Sequence, residues 1–119
     1  MQVDEMEAGR ELDALVAERV MGAVPAHTPG DWMVAVGAPP YYRFGGSVRG
    51  LPDYSTNIAA AWQVVERMSE QALPCVMHDG QMWVGEFYCI TYSHTAYAHT
   101  APLAICRVAL KAVGVEVQP

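Results

Sequence analysis

Hydrophobic positions recur at helical spacing in three stretches of the chain and cluster or alternate in the segments between them. In the first stretch Leu12, Leu15, Val16 and Val20 share a face, with Glu11, Asp13, Glu18 and Arg19 directed largely to water. That spacing predicts a helix over Asp4 to Met21, stopped by Gly22. The second stripe runs Ile58, Ala61, Trp62, Val65 and Met68 behind Ser55-Thr56-Asn57, any of which can accept an orphan helix N–H. On this reading Trp62 belongs to the core. The third stripe is Leu103, Cys106, Ala109, Leu110 and Val113, with Thr100 as cap, Pro102 in the first turn and Gly114 as the stop.

Between the first two stripes, Gly22 to Tyr54 holds six glycines and five prolines in 33 residues. Such a density forbids a helix and leaves room for a short strand at Trp32-Met33-Val34-Ala35-Val36. The segment 41–44 predicts an edge strand followed by a loop. After the second helix, Cys75 to His78 reads as a strand and Asp79-Gly80 as a two-residue hairpin turn. A long strand over Gln81 to Tyr92 follows, then a loop or frayed strand end from Ser93 to His99, and Val115 and Val117 add a little strand at the tail. The pattern predicts an α+β fold with three helices packed on a small antiparallel sheet, an α/β/α layered sandwich. One domain is expected over 1–119, with a Gly/Pro-rich excursion at about 23–53.

Composition supports a folded core. Of 119 residues, 52% are hydrophobic and 17% charged, which excludes intrinsic disorder. No run approaches the roughly 18 apolar residues of a membrane span. The acidic opening lacks an apolar leader, and three cysteines are an odd number, so reduced thiols in a cytoplasm are expected. The net charge of −6 is carried mostly by residues 1–19, and Lys111 is the single lysine. Long nucleic acid is thereby excluded as a partner, because duplex binding needs many cations to replace phosphate counterions. A small anion held by one or two arginines needs geometry rather than net charge.

Three constellations bear on chemistry. Cys75, His78, Cys89, His94 and His99 invite a metal, but within a strand Cys75 and His78 point to opposite faces. In a two-residue hairpin Cys75 would face Val84, leaving Cys89 roughly 17 Å further along. A set of core thiols and surface imidazoles is the better reading, and no metal is expected. Cys106 lies on an apolar helix stripe, so its thiol should be buried and inert. With no nucleophile–base or paired-carboxylate motif, no catalytic residues and no cofactor are expected. The remaining constellation is Tyr41, Tyr42, Phe44 and Tyr54 around Arg43 and Arg49, a composition suited to stacking a ring and holding a phosphate. Its plain alternative is an aromatic edge strand with arginines solvated or laid flat on the rings. Tyr92, His94, Tyr97 and His99 form a second polar aromatic stretch ahead of a helix N-terminus, where an anion is favoured.

Three blocks carry a family resemblance: Leu12-Asp13-Ala14-Leu15-Val16-Ala17-Glu18-Arg19-Val20-Met21-Gly22, Tyr54-Ser55-Thr56-Asn57-Ile58-Ala59-Ala60-Ala61-Trp62-Gln63-Val64-Val65-Glu66, and Thr100-Ala101-Pro102-Leu103-Ala104-Ile105-Cys106-Arg107-Val108-Ala109-Leu110. In that order they resemble the helices of the phage ABA sandwich domain family. The resemblance implies a small phage or prophage protein with helices on an antiparallel sheet, and implies no activity. Joined to the aromatic–arginine cluster, it suggests a non-catalytic binder in the cytoplasm of the bacterial host. Such a protein would sequester a small anionic nucleotide-like immune signal, of cyclic nucleotide or cyclic ADP-ribose type. A pocket deep enough in so small a chain would lie at a subunit interface, so a homo-oligomer is expected. Arg43, Arg49 and Arg107 would hold phosphates, and Tyr41, Tyr42 or Phe44 would stack on a base, with Tyr54, Tyr92 and His94 completing the site. The alternative is a module that binds and inhibits a host defence protein through its acidic first helix and exposed aromatics. A nucleotide hydrolase ranks third.

Overall fold

The computed structural model describes residues 3–26, 41–89 and 92–114. It is an α+β fold of three α-helices and two three-stranded antiparallel sheets. A 3-10 turn at Val3–Glu5 precedes α1 (Arg10–Arg19). Strands β1 (Val24–Ala26), β2 (Tyr41–Phe44) and β3 (Ser47–Gly50) form the first sheet in that order. Helix α2 (Ile58–Met68) leads into β4 (Leu73–His78), β5 (Trp83–Tyr88) and β6 (Ser93–Ala98), the second sheet, and α3 (Ala101–Ala112) closes the fold. Two sheets thus replace the single sheet expected from the sequence. The strands expected at 32–36 and at Val115 and Val117 lie outside the described residues.

Helix α3 is the centre of the molecule. It packs on β5 and β6, and α1, α2 and the 3-10 turn pack against it in turn. Every residue from Ala101 to Leu110 is buried, so α3 has no solvated face over those ten positions. Its ends follow the sequence rules. Thr100 accepts a hydrogen bond from the Leu103 N–H at 3.4 Å, Pro102 stands in the first turn, and Gly114 takes a positive φ of 81°. Close approach of α3 to the sheet requires Gly85. A Cβ there would sit 2.8 Å from Val108 Cγ1 and 3.1 Å from the Ala104 carbonyl oxygen.

Helix α1 begins later than its apolar pattern predicts, because the chain around its start is tied to the segment before α2. Asp13, expected to face water, is 1% exposed. Its carboxylate accepts from Ser55 N–H at 2.8 Å and from Ser55 Oγ at 2.6 Å. The Gly9 N–H donates to Ser55 Oγ at 2.9 Å, and Arg10 donates to Asp13, Asp53 and the Leu51 carbonyl. A buried carboxylate is tolerable only with such donors around it.

Three local expectations change. The stretch after 44 is no loop: Gly45, at φ 61°, begins a hairpin into β3, which makes β2 the central strand instead of an edge. Asp79-Gly80 is not a two-residue turn, since the Asp79 carboxylate accepts from both Gln81 and Met82 N–H and widens the loop to four residues. Those two bonds hold the Asp79 carboxyl below its usual range. His78 consequently pairs with Trp83, and Cys75 with Glu86 instead of Val84. Last, Ser93 to Ala98 is a full strand, and the long strand expected over Gln81 to Tyr92 ends at Tyr88.

Candidate functional site

The residues expected to form a nucleotide pocket divide into four places. Tyr42, Phe44 and Arg49 share one face of the first sheet, since Tyr42 pairs with Arg49 and alternate residues share a side. Tyr41 and Arg43 project from the opposite face. Arg43 and Arg49 therefore diverge and cannot clamp one phosphate between them. The Arg49 guanidinium lies 4.3 Å from the centroid of the Phe44 ring, a cation–π contact. Tyr42 is buried against α1, its hydroxyl 3.5 Å from Glu18; burial and that carboxylate push its phenol up.

Tyr54 and Arg107 are core residues. Tyr54 is fully enclosed, which removes its ring from any ligand, and its hydroxyl has no hydrogen-bond partner among the described residues. Burial pushes its phenol up to about 12. Arg107 donates from Nε and Nη2 to the Met6 carbonyl, at 3.1 and 2.7 Å, and from Nη1 to the Tyr97 carbonyl at 2.9 Å. Its guanidinium, buried with the rest of the side chain, braces the N-terminal turn and the edge of β6 and so is committed to the fold. Lys111 repeats the device one turn on, donating to Asp4 and to the Thr95 carbonyl at 2.7 Å. Tyr92 and His94 stack edge to face at 4.9 Å near the start of β6, where bonding to Cys89 pushes the Tyr92 phenol up. Cys106 is fully buried, as its stripe implied, and burial pushes its thiol up.

A different group of residues converges. A cleft of about 530 Å³ is lined by Ile58 and Trp62 of α2, Val76 and Trp83 of the second sheet, and His99 to Pro102 at the start of α3. Trp62 is 50% exposed and Ile58 53% exposed, although both belong to a helical apolar stripe. Of the expected stripe Ala61, Val65 and Met68 are buried as predicted, and Val64 joins them in place of Ile58 and Trp62. Trp83 is held edge to face by His78 at 5.2 Å. No lysine or arginine lines the cleft among the described residues. The first turn of α3 offers an anion little there, because Pro102 has no N–H and Thr100 takes that of Leu103. The expectation of anion binding ahead of the last helix is corrected on that ground. What the cleft offers is a pair of indoles and an imidazole over an apolar floor, a surface for a flat uncharged ring.

Fold and cleft together describe a small α+β protein with a cleft lined by aromatic side chains. The chain belongs to the phage ABA sandwich domain family, whose pattern matches residues 14–110. It is similar to a phage protein from Bacillus cereus ATCC 14579 of known crystal structure, at 27% identity and a TM-score of 0.68, over 92% of this chain and 95% of that one. No curated protein matches it. Among the described residues no helix is long and apolar enough to cross a membrane.

Proposed function

We propose that this phage protein is a non-catalytic binding protein that sequesters a small ligand bearing a planar aromatic ring, of nucleobase or nucleoside type, in the host cytoplasm. The observation that carries the reading is the exposure of Trp62 beside Trp83 and His99 in one cleft. A half-exposed indole on a helix that has a complete apolar stripe without it is not needed for the core. Base–aromatic stacking is worth about 1–3 kcal/mol per base and tolerates many bases. Affinity at this cleft would therefore come from ring area, with any phosphate left in solvent. This moves the ligand away from the arginines of the first sheet and makes charge a minor part of recognition.

Both cleft indoles report on binding directly. Nucleosides, mononucleotides and cyclic nucleotides titrated against intrinsic fluorescence should quench it saturably, and the nucleoside should bind within a few-fold of its nucleotide. Trp62→Ala should weaken binding by about 1–3 kcal/mol, roughly five- to more than a hundred-fold, with little change in stability. Ligand affinity that survives Trp62→Ala but is lost in an Arg43→Ala, Arg49→Ala protein would return the site to the first sheet.

A further inference from the structure

The cleft between α2 and the second sheet is larger than one ring needs. A purine fills on the order of 150 Å³ at interior packing density, about a third of the cleft's 530 Å³. Its two indoles stand on different elements, Trp62 on α2 and Trp83 on β5. They do not pack on each other: Trp83 is paired with the His78 imidazole at 5.2 Å, and no ring is packed against Trp62 among the described residues. Ile58, one turn before Trp62 on the same wall, is as exposed as the indole. A single ring stacked on either indole therefore leaves the other in water.

From this arrangement we infer that the ligand carries two planar rings on one short connection, of dinucleoside type, with one ring on each indole. The inference rests on the reading of the cleft as a ring-binding site and sets the size of what it takes. Each stacked ring multiplies affinity by roughly five- to more than a hundred-fold. The second ring arrives on the same molecule, so its capture is intramolecular and adds to the first. Charge decides what joins the rings. The chain carries −6, and no lysine or arginine lines the cleft among the described residues, so each phosphate in the connection goes without a cation. A connection of one phosphodiester turned to solvent is therefore favoured over a polyphosphate. A longer strand gains nothing further, because its affinity beyond the two stacked bases would depend on cations along the backbone.

Tryptophan fluorescence of the full chain, titrated with adenosine, adenosine 3′-monophosphate and the dinucleoside adenylyl-adenosine, tests this. The dinucleoside should bind at least about fivefold tighter than adenosine. The 3′-monophosphate, which has the phosphate without the second ring, should bind no tighter than adenosine. Trp62→Ala should bring the ratio of dinucleoside to adenosine affinity down to about one, and Trp62→Phe should restore part of it. The adenosine trinucleotide should bind no tighter than the dinucleoside. Equal affinity for adenosine and the dinucleoside, a gain that the 3′-monophosphate reproduces, or affinity that climbs with every added nucleotide overturns the inference. The adenosine arm reads the cleft itself. If adenosine binds and the dinucleoside gains nothing, the two-ring inference alone fails; if neither quenches the indoles, the reading of the cleft falls with it.

Discussion

Gly85→Ala adds one methyl group where the sheet and α3 come closest, and the contact distances give its cost. The new Cβ would lie 2.8 Å from Val108 Cγ1 and 3.1 Å from the Ala104 carbonyl oxygen, against ordinary contacts of roughly 3.4–4 Å. Val108 cannot swing aside cheaply, because a β-branched side chain in a helix has one favoured rotamer. The Ala104 oxygen is backbone, so relief requires α3 to retreat while residues Ala101 to Leu110 are buried on every side. Overpacking of this kind costs about 1–3 kcal/mol, offset by a few tenths to 1 kcal/mol because alanine restricts the unfolded chain. The expected net loss of roughly 1–2 kcal/mol should lower Tm by about 4–8 °C for a chain of this size. Thermal unfolding followed by circular dichroism measures it. Gly46→Ala is the control, since nothing lies within 4 Å of a Cβ there. Val108→Ala removes the nearer clash, so the double variant should be less damaged than the sum of the two singles by at least about 0.5 kcal/mol. Strict additivity, or a Gly85→Ala protein that melts with the wild type, would refute close approach as the reason for the glycine.

Two further outcomes follow from buried groups. Arg107→Met should cost about 2–4 kcal/mol in urea unfolding, because it removes three donors and strands the Met6 and Tyr97 carbonyls, and Arg107→Lys should fall between, as one ammonium cannot span both. Stability should also decline in alkali. Burial raises Cys106 above its usual 9.0 and Tyr54 from 10.0 to about 12, so above those ordinary values the unfolded chain releases protons that the native state keeps. The unfolded state then binds fewer protons, and stability falls with rising pH by up to about 1.4 kcal/mol per pH unit per group. Cys106→Ala should flatten the first part of that decline, between pH 9 and 10, in pH-dependent urea melts.

The helices were legible because their signals are local. Asn57 and Thr100 cap α2 and α3 by accepting the N–H three residues on, and Gly22 and Gly114 take the positive φ of a helix stop. The strand β6 was not legible, since its inward positions are His94, Ala96 and Ala98, a polar ring and two alanines, the alanines buried under the close packing of α3. Alternation was present in Ser93 to Ala98 but carried no hydrophobic contrast. The Asp79-Gly80 turn misled for a different reason: the dipeptide favours a short hairpin, but the carboxylate reaches two N–H groups beyond it. Trp62 was misplaced because α2 carries two overlapping stripes at the same spacing, and the one containing Val64 is the one buried. For the candidate site, once 47–50 is a strand, register sends Arg43 and Arg49 to opposite faces, so composition had gathered residues that geometry separates.

The burial of α3 limits where function can reside. A helix enclosed from Ala101 to Leu110 fixes the sheet on one side and α1 and α2 on the other, so its side chains are committed to packing. What it leaves available lies at its first turn, where Ala101 and Pro102 floor the cleft, and across the sheet, where Leu73, Met77, Tyr88 and Tyr97 are exposed on the side away from α3. The cleft is thereby built on rigid elements: Trp83 stands on the central strand of its sheet, and Trp62 on a helix anchored by four buried residues. A ring entering it would meet a surface already arranged, so little ordering entropy opposes binding. That separates the two kinds of residue in this protein. Substitutions at Gly85, Arg107 and Asp13 should act on stability first, whereas Trp62, half in solvent, should act on binding with the fold intact.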